Sequence, residues 1–174
     1  MIRAFGMVLL LMLTSCLTRD ERISEFQEKL GLEKAQVLNE MVDHFESRLQ
    51  VRYPKLELKD AYLQLLKDLE HHALDNTEIL FQWPKALLFK YENSGLQDDF
   101  YKQKSNSKTL NVEGVFFKAM RSQSYYDELI AEYFWVLEQK GKITPSQFAS
   151  GMLRFDFDPN NFFHKRILVF QFSP

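Results

Sequence analysis

Between Glu33 and Val51 the apolar residues Val37, Leu38, Met41, Val42, Phe45 and Leu49 recur three and four positions apart. Glu40, Asp43, Glu46 and Arg48 fall mostly on the other side. That period belongs to a helix, and a helix with one apolar stripe must bury it against a neighbour. Tyr53-Pro54 breaks the pattern, because the residue before a proline is driven out of helical geometry. Ala61, Tyr62, Leu65, Leu66 and Leu69 then repeat the stripe. Two such helices across a short proline-containing turn predict a helical hairpin. The two share too little identity to count as a repeat.

The rest of the chain extends this plan. Thr18-Arg19-Asp20-Glu21 has the spacing of a capping box, Ile23, Phe26 and Leu30 follow on one face, and Gly31 is a natural stop. From Asn76 to Tyr91 the sequence is apolar all round, with Pro84 in the middle, which predicts two short, largely buried helices or a kink. Asn93-Ser94-Gly95 ends that segment, and the polar, basic run Lys102 to Thr109 reads as an exposed loop. Val115 to Met120 is ambiguous between helix and strand. Ser124, completed by Asp127, caps a broadly apolar helix to about Gln139; Gly141 stops it, and Thr144-Pro145 starts another. Leu153 to Phe157 alternates with period two, Ile167 to Phe172 is rich in β-forming residues, and Asp158-Pro159-Asn160-Asn161 is turn chemistry between them. The expected fold is mainly α, a compact helical bundle with a small C-terminal β-hairpin, with α+β as the alternative.

Composition narrows the partners. Setting aside residues 1–15 leaves 159 residues with 21 basic and 24 acidic side chains, enough for a single domain with a real core. A balance so close to neutral argues against nucleic acid. Cys16 is the one cysteine, so no intrachain disulfide can form, and packing must hold the fold. Sixteen phenylalanines and seven tyrosines supply the apolar surface for it.

The first residues carry an address. Arg3 is followed by an apolar run from Ala4 to Leu13, too short to span a bilayer, which needs about 20 residues as a helix. A basic start, an apolar middle and small polar residues make a secretory signal peptide. Leu13-Thr14-Ser15-Cys16 closes this one and resembles the lipobox of bacterial lipoproteins. The resemblance covers only the leader. It implies removal of residues 1–15, a diacylglyceryl group on the Cys16 thiol, and a mature domain of residues 16–174 held to a membrane by its lipid. Buried acyl chains give such anchors their strength, about 0.8 kcal/mol per CH₂. Leu17, where enteric lipoproteins kept at the inner membrane carry aspartate, implies the outer membrane facing the periplasm. Arg19-Asp20-Glu21 weakly resembles an acidic surface-export signal, which leaves surface display open. A helix starting near Thr18 leaves about two residues, roughly 7 Å of extended chain, between lipid and fold.

Several residue groups carry candidate chemistry. Asp68, His71, His72 and Asp75 lie within two helical turns, His44 could approach from the paired helix, and divalent metals accept imidazole with carboxylate. The HExxH motif and the paired Glu-x-x-His elements of a di-iron bundle are lacking, so a solvated or half-buried histidine pair is the preferred reading. Asp156-Phe157-Asp158-Pro159-Asn160 opens like a calcium loop, but its twelfth position is Ile167 and Asn161 replaces the turn glycine. Gly141 to Thr144 matches only the second half of such a loop. Ser105-Asn106-Ser107-Lys108 matches Ser-x-x-Lys without the helical setting or the Lys-Thr-Gly element that chemistry needs. Glu128 and Glu132 share a helix face and could serve glycan hydrolysis if their environments differed. Phe148, Phe155, Phe157, Phe162, Phe163, Phe170 and Phe172 read as core, or as a contact patch wherever they are exposed.

No complete catalytic set and no cofactor site emerges. The expected function is therefore a lipid-anchored, non-enzymatic envelope protein that holds a protein partner. The alternatives are a cell-wall or glycan-processing hydrolase using Glu128, Glu132 or the histidines, and a carrier of a small apolar ligand, which requires an enclosed apolar cavity.

Overall fold

The computed structural model describes residues 18–72, 81–104 and 107–174. The lipobox with Cys16, Asp75, residues 76–80 and the Ser105-Asn106 pair lie outside them. Within them, α1 (Arg19–Leu30) begins as its capping box dictates. The Thr18 hydroxyl accepts from the Glu21 amide at 3.3 Å, and the Glu21 carboxylate accepts from the Thr18 amide at 2.7 Å. Two amides that a helix start leaves unpaired are thereby satisfied. The helix ends at Gly31, whose φ of +86° costs a glycine little and other residues more. α2 (Leu32–Arg52) leaves from the same glycine.

All six stripe residues of α2 are buried, and so are the five of α3 (Leu58–Glu70). The Phe45 and Tyr62 rings meet at 5.7 Å between the two helices, which pack against each other across the turn at Tyr53-Pro54. Pro84 does not kink a helix. It is the N-cap of α4 (Lys85–Asn93), where a missing amide hydrogen is harmless. From residue 81 onward the segment is also less buried than its composition predicts. Trp83, Leu87 and Tyr91 face the core, whereas Phe89 is 66% exposed.

After α5 (Leu96–Phe100), the run read as an exposed loop forms the two-stranded sheet instead. β1 (Tyr101–Lys104) pairs antiparallel with β2 (Ser107–Leu110), Tyr101 opposite Leu110 and Lys104 opposite Ser107. Its two apolar residues, Tyr101 and Leu110, face each other at the end nearest the core, and both pack against it. The polar remainder hides the strands from any hydrophobic pattern. Val115 to Met120 resolves as helix, within α6 (Val115–Arg121). Gly114 precedes it with no room for a side chain, since a Cβ would sit 2.1 Å from the Asp99 carbonyl oxygen.

A 3₁₀ turn (Ser122–Tyr125) delays the next helix, so Asp127, not Ser124, caps α7 (Glu128–Lys140) by accepting from the Ile130 amide at 3.2 Å. α8 (Pro145–Arg154) starts as expected, with Thr144 and Gln147 forming a second capping box. The C-terminal hairpin does not form. Leu153 and Arg154 finish α8, and Phe155 and Asp156 lie in its exit turn. Ile167 to Gln171 belongs to α9 (Phe162–Gln171). α9 is buried from Ile167 through Phe170 without a break, so its apolar run reports burial on every side. A short apolar run of that kind fits a buried strand and a buried helix equally well. The Asn161 side chain, accepting from the Phe163 amide at 2.9 Å, gives the helix its start.

The molecule is thus mainly α, as expected, with its small hairpin in the middle of the sequence. α9 runs through the core. Its Phe170 ring lies 4.9 Å from Phe100 and 5.1 Å from Phe116, while Phe163 meets Phe26 of α1 at 5.6 Å.

Candidate functional site

Between α7 and α8, residues of both helices line a groove of about 280 Å³. Gly141 ends α7 in left-handed geometry, and the chain turns through Ile143 into the Thr144 cap, which sets the separation of the two helices. Leu129, Val136, Ile143, Phe148 and Met152 contribute apolar walls, with Glu132, Lys140, Gln147 and Arg154 also along the lining. Tyr133 also lines it, but the phenol is committed. It donates to Gln171 Oε1 at 2.9 Å, Gln171 Nε2 donates to the Ile143 carbonyl at 3.0 Å, and burial pushes the hydroxyl well above the ordinary tyrosine range. The groove can receive apolar side chains.

On the outer face of α7, Trp135 is 58% exposed, and a shallow surface depression joins it to Glu128, Ala131 and Glu132. The two glutamates therefore share a face, as their spacing predicts, but that face is open. Glycosidase chemistry needs two carboxyls held in distinct, enclosed environments; here Glu128 is exposed and Glu132 is half-buried at the edge of the groove.

The histidine cluster is dispersed among other duties. Asp68 accepts from Tyr53 Oη and Gln64 Nε2, each at 2.7 Å. Burial and that carboxylate raise the Tyr53 phenol above its ordinary range. His71 and His72 are exposed at the end of α3, and His44 packs on Trp83 with Nε2 3.1 Å from the Gln82 carbonyl. No group of three or more metal-ligating side chains comes together among the described residues. Asp158 Oδ1 accepts from the Asn160 amide at 2.8 Å, a turn bond within the stretch that resembles a calcium loop. Ser107 and Lys108 belong to β2. Of the phenylalanines, Phe148, Phe157, Phe163 and Phe170 are core, and Phe155, Phe162 and Phe172 pack on its margin.

Two polar centres escape the sequence reading. The first joins α7 to α9. His164, 4% exposed, accepts from the Asp158 amide through Nδ1 at 3.0 Å, so its Nε2 carries the proton and donates to Asp127 at 2.9 Å. Asn161 Nδ2 donates to the same carboxylate at 3.1 Å. Burial alone would raise the Asp127 pKa, but His164, the Ile130 amide and Asn161 outweigh it and hold the carboxyl below its ordinary value. The pair resembles half of a catalytic triad. Both ring nitrogens are already engaged, which leaves neither to activate a nucleophile.

The second joins α2 to α9. Arg166, 5% exposed, donates to the Asn39 side-chain carbonyl and to the Phe162 backbone carbonyl (2.8 Å), and its guanidinium lies over the Phe162 ring. Burial brings it down to about 9, against the pull of Asp43, Tyr62 and Glu46. Lys165 reaches Glu46 at 2.6 Å, and Tyr62 Oη donates to that carboxylate at 3.0 Å. Glu46 therefore serves an interhelical contact, although its spacing placed it on the solvent side. These groups border a cleft of about 470 Å³ beside Arg19 and Asp20 at the start of α1. Nothing local in the sequence announces Arg166, a charge within a phenylalanine-rich stretch.

No family model matches this chain, and neither a curated protein nor a solved structure matches it either.

Proposed function

We propose that this chain is a lipoprotein of the bacterial cell envelope, anchored through Cys16, that holds a protein partner rather than catalysing a reaction. The address rests on the leader and its Leu13-Thr14-Ser15-Cys16 lipobox, with Leu17 favouring the outer membrane and its periplasmic face. Among the described residues no helix is long and apolar enough to cross a membrane. On this reading the acyl chains supply the attachment, and two or more of them hold stably where one does not.

The observation that carries the partner-holding role is the α7/α8 groove with exposed Trp135 on the neighbouring face of α7. Tryptophan is enriched at the energetic centre of interfaces, and an apolar cleft beside it accepts a partner's side chains. The groove's volume, about 280 Å³, lies just below the roughly 300–1,000 Å³ typical of small-molecule clefts, which favours side chains over a carried ligand. For the hydrolase alternative, Glu128 and Glu132 are joined only by that shallow, open depression among the described residues.

The test places a photoreactive residue at Ser150, exposed on the groove, in intact cells. A discrete adduct is expected that disappears with Trp135→Ala and Met152→Glu, while the same probe at Leu32 gives none. Equal labelling from both positions would remove the groove from the account. For the anchor, Cys16→Ala should shift the protein from the membrane to the soluble fraction.

A further inference from the structure

The helices α1, α7 and α9 begin at one end of the molecule, and side chains tie their starts together. Arg19 donates to the Asn160 carbonyl just before α9, Asn161 donates to Asp127 at the cap of α7, and the Arg22 guanidinium sits 4.8 Å above the Tyr126 ring. Arg22 is one turn into α1, its amide bonded to the Thr18 carbonyl at 3.0 Å. Tyr126 is therefore close to the point where the described chain begins. It is 45% exposed, and its neighbour Tyr125 is 93% exposed, the most exposed of the large apolar side chains described.

Tyr125 and Tyr126 thus present two adjacent tyrosine rings to the outside. At the level of lipid headgroups they are favoured, because the ring enters the apolar margin while the hydroxyl stays hydrated. Arg22 lies over the Tyr126 ring, and cations near a membrane surface gain from anionic lipid phosphates. The chain itself supplies the remaining constraint. Only Leu17 lies between Cys16 and Thr18, so a lipid on Cys16 is within roughly 7 Å of the first turn of α1. So short a link holds this end of the bundle against the bilayer and allows little freedom to present another face.

We propose that the start of α1 together with Tyr125 and Tyr126 forms a membrane-contacting face that seats the bundle on the lipid headgroups in one orientation. This rests on the reading of Cys16 as the lipid anchor. It adds that the folded domain itself touches the bilayer, with α1 leading away from it toward Gly31. Leu32, 76% exposed, begins α2 at the far end of α1, about 18 Å along a 12-residue helix.

The experiment uses the full chain, processed in a lipoprotein-producing bacterium and reconstituted into phosphatidylethanolamine–phosphatidylglycerol vesicles. With the Cys16 thiol consumed by its lipid, Tyr125→Cys and Leu32→Cys each introduce a single thiol for a nitroxide label at a highly exposed site. The label at 125 should be several-fold less accessible to a water-soluble nickel chelate than the label at 32, and more accessible to dissolved oxygen. Equal nickel accessibility in protein that floats with the vesicles would overturn the orientation and leave the anchor standing. Protein that floats equally well as Cys16→Ala would overturn the anchor, and the seating with it. A protected label at 32 with a free one at 125 would reverse the assignment.

Discussion

α2 and α3 differ from α9 in what their sequences disclose. In the first pair each helix buries one face, so the buried residues of α2 and α3 are the ones the helical period picks out. In α9 nearly every residue from Phe163 to Phe170 is buried, including His164 and Arg166, and the period is lost. The comparison teaches that hydrophobic periodicity measures how many sides of an element meet water. An element with no wet side carries no phase, and its β-branched and aromatic content then invites the wrong assignment.

The largest effect that would test this contrast is truncation in the buried helix. Phe170→Ala removes a ring packed on Phe100 and Phe116 and should cost about 3–5 kcal/mol in chemical denaturation. A loss below about 1 kcal/mol would mean that α9 is not central.

A smaller effect should separate polar contacts that α9 requires from those it tolerates. Asn39→Ala leaves the buried Arg166 with one partner fewer and should cost about 1–3 kcal/mol. Arg166→Met removes the cation together with its need for partners and should be milder, as replacing buried charge by apolar volume often is. If Arg166→Met proves the more damaging in urea unfolding, the cation is a net contributor to stability.

The smallest effect depends on pH. The folded state holds the Asp127 carboxyl below its ordinary 3.8, so its contribution is complete above that value and is lost as pH falls through the lower folded one. Asp127→Asn should lower stability at neutral pH and flatten the acid limb of the stability curve relative to the unmodified protein. Parallel curves would show that the His164 contact carries no linked proton.

Local signals were legible wherever the chemistry is local. Thr18 with Glu21 and Thr144 before Pro145 mark helix starts within four residues of sequence, and Gly31 marks a stop. The mid-chain hairpin is not legible, because Tyr101 and Leu110 supply its apolar rung against the core and the residues of the other rungs are polar in sequence. Ser124 has the chemistry of a cap, but the 3₁₀ turn from Ser122 to Tyr125, which has no sequence signature of its own, moves the cap to Asp127. The candidate site was partly legible. Glu128 and Glu132 do share a face, but the groove between α7 and α8 depends on how two separate helices meet.

By itself the sequence determined the helical character, the caps and the stripes of α1 to α3, because each depends on contacts within a few residues or on one buried face. Leu13 to Cys16 gave the proposed anchor in the same local way. Only tertiary structure decided that α9 is a helix, that His164 belongs to Asp127, and that Arg166 finds Asn39 from 127 residues away. Those outcomes arise from which surfaces exclude water together, and chain folding sets that relation between distant segments.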